Sequence, residues 1–80
     1  MIANETLNSI MTEFRISNVL LSNITSIHTT TICRYRNKQR NIGQKNFYKI
    51  YNALTELKVN SKTMKELRRE YENSRNKKVL

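Results

Sequence analysis

Apolar residues recur along this chain at the interval of an α-helix, and almost nothing in it interrupts a helix. Leu7, Ile10, Met11 and Phe14 fall at i, i+3, i+4 and i+7, and Phe47, Ile50, Tyr51 and Leu54 repeat that spacing. Proline is absent and Gly43 is the one glycine, so the strongest breakers of regular structure are nearly missing. Strand-type alternation is confined to short ambiguous stretches. The predicted fold class is therefore all-α, a compact bundle of four to five helices.

The spacing predicts a first helix near residues 4–14, with Asn4 or Thr6 as its cap. Ser17 is placed to cap a second, over about 17–24, that buries Leu21 and Ile24. A turn closed by Ile27 leads into a third helix, over about 28–37, anchored by Ile32 and Tyr35. Gly43 lies in a polar loop before a fourth helix over about 44–57. The run KVNS then reads as a break, with Asn60 or Ser61 capping a charged helix from about 62 to 73. Met64, Leu67 and Tyr71 give that helix a narrow apolar stripe, and residues 74–80 are expected to fray. Residues 1–59 are thus expected to form the functional domain, and 60–80 a charged helix and tail that packs on it or dimerises.

A chain of 80 residues buries only roughly 60% of its unfolded surface, so it depends on good helix packing or on a partner. One cysteine, Cys33, and one histidine, His28, exclude an internal disulfide and a four-ligand structural zinc; no cofactor or metal is expected. The net charge of +9 and pI near 10.1 imply a polyanionic partner. No apolar run approaches the roughly 18 residues of a membrane span, and the start, MIANETLN, does not read as a signal peptide. A soluble, cytoplasmic protein with no membrane partner is expected. An enzyme is not: His28 has no nearby carboxylate in sequence, and there is no glycine-rich phosphate loop.

The charge is concentrated. Residues 29–41 read TTTICRYRNKQRN, with Arg34, Arg36, Lys38 and Arg40 inside seven residues, and no acid occurs between Arg15 and Glu56. With Ile32 and Tyr35 turned inward, Thr29, Thr30, Cys33 and Arg34 project outward together, at i, i+1, i+4 and i+5. His28 sits at the helix N-terminus, where free N–H groups and the dipole favour a phosphate. Two short helices joined by a tight turn, the second basic on one face, form a helix-turn-helix candidate.

Residues 16–57 resemble the Cro/C1-type helix-turn-helix proteins of phage and mobile-element repressors. The family pattern runs from a Ser/Thr-Gln start through Leu-Ala and a Gly-Val turn to Ser-x-x-Thr-Ile-Ser-x-Tyr-Glu-Asn-Gly-x-Arg. Ser17 and Asn18 stand at the start, Leu21 and Ser22 at Leu-Ala, and Ser26 and Ile27 at the turn. Thr31, Ile32, Cys33, Tyr35, Asn37 and Arg40 occupy the later positions, and Phe47 to Leu54 is similar to the helix that follows in the family. The departures are Asn18 for Gln, Ser26 for the turn Gly, His28 for the Ser cap, Arg36 for Glu and Lys38 for the second Gly. Glycine adopts positive φ freely, and serine and lysine do so less readily.

The resemblance implies a lambda repressor-like fold and a division of labour. Thr29, Thr30, Cys33 and Arg34 would face base edges, and Asn18, His28, Arg36, Asn37, Lys38 and Arg40 would hold phosphates. An arginine pairs bidentately with guanine, and threonine methyls meet thymine methyls. The expected function is a dimeric repressor or autoregulator acting on double-stranded DNA, with a palindromic operator. The alternative is a protein-binding helix-turn-helix module, an antitoxin or an anti-CRISPR-like inhibitor of a protein or ribonucleoprotein. RNA binding is less favoured, because exposed aromatics are few.

Overall fold

The computed structural model describes residues 2–76, and the segments it describes are helices joined by short turns. They are α1 (Ile2–Glu13), α2 (Asn18–Thr25), α3 (Thr29–Arg36), α4 (Gln44–Glu56) and α5 (Ser61–Asn76). No strand occurs among the described residues, and none of the described helices is long and apolar enough to cross a membrane. The Cα radius of gyration is 11.7 Å, about that of a compact chain of this length.

One core joins all five helices. Leu7 and Met11 of α1, Leu21 of α2, Ile32 and Tyr35 of α3, Phe47, Ile50 and Leu54 of α4, and Leu67 of α5 are almost wholly buried. α3 lies between α1 and α2, while α4 packs on α2 and α5. α5 folds back on α1 and α4, burying Met64, Leu67 and Tyr71. Its anchor is Tyr71, whose ring stacks on Phe47 at 3.8 Å and whose hydroxyl donates to the Ile42 carbonyl at 3.0 Å.

The capping residues explain most of the boundaries. The Ser17 hydroxyl accepts from Leu20 N at 3.0 Å, and the Asn60 side chain accepts from Thr63 N at 2.8 Å. Each satisfies a donor that the first helical turn leaves open. At the other ends, four residues among those described that are not glycine take the left-handed conformation: Arg15 (φ 56°), Ser26 (φ 64°), Lys38 (φ 62°) and Lys58 (φ 65°). After α1, α3 and α4 these form the double hydrogen bond of a Schellman cap, including Ile16 N to Met11 O, Gln39 N to Arg34 O and Val59 N to Leu54 O. Gly43, by contrast, has φ −68° and serves as the N-cap of α4 without a side chain to close it.

Several expectations are corrected. Ile24 is exposed and Thr25 takes the inward position beside Leu21. A polar residue is tolerated there because its hydroxyl donates to Leu21 O at 2.7 Å and accepts from Ile27 N at 3.2 Å, closing the turn. α1 begins at Ile2, so neither Asn4 nor Thr6 is its cap. Asn4 is buried inside the fold, and Thr6 donates to the Glu70 carboxylate of α5. Tyr48 turns to α5, its hydroxyl 3.4 Å from Glu72 Oε2 and its ring edge-on to Phe47. α5 runs on to Asn76 rather than fraying after residue 73, and residues 77–80 lie outside the described residues.

Candidate nucleic-acid interface

α2 and α3 are each eight residues long and are joined by Ser26, Ile27 and His28. Ser26 reverses the chain in the left-handed region, Ile27 is buried, and His28 starts α3 by accepting from Thr30 N through Nδ1 at 3.1 Å. That bond requires an unprotonated Nδ1 and leaves Nε2 carrying the ring proton. α3 buries Ile32 and Tyr35. Its far side is exposed and carries Thr30, Cys33, Arg34 and the C-cap Asn37, at i, i+3, i+4 and i+7. The Asn37 amide donates to Cys33 Sγ at 3.4 Å, so two members of this face already touch. Thr29 is half-buried at its edge.

The residues expected at phosphates divide into two groups. Arg36 and Asn18 are half-buried and bonded to each other, with Arg36 Nη1 donating to Asn18 Oδ1 at 2.8 Å. The same guanidinium donates from Nε to Asn8 Oδ1 at 2.7 Å and from Nη2 to Thr12 Oγ1 at 3.3 Å. Arg36 therefore ties α1, α2 and α3 together. His28, Asn37, Lys38 and Arg40 are exposed. The Lys38 ammonium lies 3.0 Å from Glu5 Oε2, and its hydrogen bond and charge hold the Glu5 carboxyl below the ordinary carboxylate range.

α1 shapes this region more than its sequence suggested. Asn4 donates from Nδ2 to the carbonyls of Tyr35 and Arg40, both at 2.9 Å, and so brackets the turn after α3. With Asn8, Thr12 and Glu5 it forms a polar rail that holds residues 35–40. The Asn4, Asn8 and Thr12 spacing of four residues was visible, but such a stripe reads equally as a solvated face. The rail matters because the Schellman cap of α3, unlike those of α1 and α4, joins two exposed residues, Arg34 and Gln39. It lacks the apolar contact that Met11 with Ile16, and Leu54 with Val59, bring elsewhere.

The start of α4 adds a second cationic margin. Asn46 Nδ2 donates to Tyr35 Oη at 2.9 Å, setting the first turn of α4 beside α3. Lys45 and Lys49 are exposed on that helix, and the N-cap Gly43 supplies no side-chain hydrogen bond to it. The six glutamates fall outside this region in sequence: two on α1, one at the end of α4 and three on α5. Two of the α5 acids pair with their own helix, Glu72 with Arg68 at 3.1 Å and Glu66 with Arg69 at 2.8 Å. No protein-family model, curated protein or solved structure matches the chain.

Proposed function

We propose that the chain is a sequence-specific double-stranded DNA-binding regulator in which α2, the turn 26–28 and α3 act as a Cro/C1-type, lambda repressor-like helix-turn-helix. It serves as a dimeric repressor or autoregulator of a phage, plasmid or other mobile element, working in the cytoplasm on the nucleoid. The observation that carries this is the exposed face of α3, where short hydrogen-bonding side chains at Thr30, Cys33 and Asn37 flank Arg34 in a stretch of sequence without acids. An α-helix so equipped suits the major groove.

Arg34 pairs with guanine O6 and N7, Thr30 and Thr29 offer methyls to thymine, and the Cys33 sulfur makes a weak polar or apolar contact. Asn37 shares this face and joins the base readers. His28, Lys38 and Arg40 grip phosphates around the groove, which positions the protein without reading sequence. Arg36 and Asn18 support that grip from inside, through their bonds to each other and to α1. Two copies on successive major grooves block polymerase sterically. Selection of bound duplex from a random pool tests this: the expected product is a palindrome with regularly spaced half-sites. No enrichment would sink it and promote the protein-binding alternative, an antitoxin or an inhibitor.

A further inference from the structure

Among the described residues, the large apolar side chains that remain exposed lie together on one helix. Val19 is 61% exposed, Leu20 38% and Ile24 37%. With the exposed Asn23 they form the outward arc of α2, opposite the buried Leu21 and Thr25. That arc is also electrically neutral. No Lys, Arg, Asp or Glu occurs from residue 16 to residue 33, and α2 is the described helix without a charged residue.

Taking the DNA-binding function above as its basis, we propose that this face of α2 receives the same face of a second copy, and that the pair forms on DNA rather than in free solution. Three observations select the occupant. Chains of net charge +9 repel one another, and contact through arcs that carry no charged side chain of their own sets no like charges directly against each other. An acidic partner would gain nothing from a neutral face and would be drawn to the cationic side of α3 and α4. The other apolar stripe offered by the sequence, Met64, Leu67 and Tyr71 of α5, is already spent inside the fold.

A two-fold contact must also complement itself. Apolar side chains around Asn23 meet that condition, since one amide both donates and accepts. Three partly exposed side chains fall well short of the roughly 800 Å² per partner that a stable interface buries. Free chains therefore pair weakly. Two chains held on neighbouring half-sites pair at high effective concentration, with phosphates screening their repulsion. Only three residues separate α2 from α3, so the contact is coupled directly to the reading helix.

The test uses the full chain, a duplex carrying both half-sites and a duplex carrying one. The variant Val19→Ser with Ile24→Ser is neutral in charge and confined to exposed positions, and unchanged circular dichroism and melting would verify its fold. Sedimentation should show wild-type monomer without DNA, and two chains binding the full site with cooperativity of about 5- to 150-fold. The variant should keep wild-type affinity for the single half-site and lose the cooperativity. Undiminished cooperativity in the variant overturns the proposal and leaves this face to a different partner, as would independent filling of the two half-sites by wild type. Failure of wild type to bind any duplex would instead remove the DNA-binding function itself.

Discussion

Under the proposed function, Arg34 is the residue on which specificity would turn. It is exposed on α3 and makes none of the hydrogen bonds that draw Arg36 into the fold. Arg34→Ala should leave the melting temperature unchanged, weaken operator binding by about 1–3 kcal/mol and relax preference at one base pair. Binding to a set of single-base operator variants would check this; equal losses on every sequence would make Arg34 a phosphate contact. Ser26 bears on stability instead. Its φ of 64° lies where side chains cost about 1–2 kcal/mol and glycine costs nothing sterically. Allowing for glycine's greater freedom when unfolded, Ser26→Gly should stabilise the protein by roughly 0.5–1 kcal/mol in urea titration. Destabilisation would mean that the Ser26 side chain contributes more than the backbone costs.

At the scale of elements, the three-way tie at Arg36 makes a separable prediction. Arg36→Met removes hydrogen bonds to Asn8, Asn18 and Thr12 and should destabilise the fold by about 1.5–3 kcal/mol. Because the guanidinium is engaged internally, the salt dependence of DNA binding should keep its slope. A slope smaller by about 0.9 would return Arg36 to the phosphate contacts. The helices themselves were legible from spacing and caps. Ser17, His28 and Asn60 act as N-caps, and the boundaries differ from the structure by about two residues at most, except where α5 runs on. What sequence could not settle was which polar groups face inward. Thr25 displaces Ile24 from the core because its hydroxyl is satisfied within its own turn, and Asn4 enters the interior because two distant carbonyls await it. Both depend on partners that hydrophobic periodicity does not record. The same holds for Arg36, whose charge reads as surface in the sequence while its partners lie on two other helices.

For the whole molecule the governing quantity is the distribution of charge. With six acids against fifteen basic residues, and none of the acids between Arg15 and Glu56, the centre of the chain is strongly cationic, although Lys38 there pairs with Glu5 of α1. If six or more phosphates are neutralised per complex, affinity should fall on the order of a thousandfold between about 50 and 200 mM salt. Equilibrium titrations across that range would measure it, and a flat response would end the polyanion argument. The same surface carries its own reporter. The chain holds a single thiol, and Cys33 is exposed on the outward face of α3 between Thr30, Arg34 and Asn37. A maleimide should therefore modify one defined atom, and its reaction rate becomes a footprint of whatever covers α3. Operator DNA should shield the sulfur in proportion to occupancy, whereas a partner seated only on α2 should leave it reactive. Occupancy of the reading face could thus be followed by mass spectrometry in an unmodified protein, without a tag or an engineered probe.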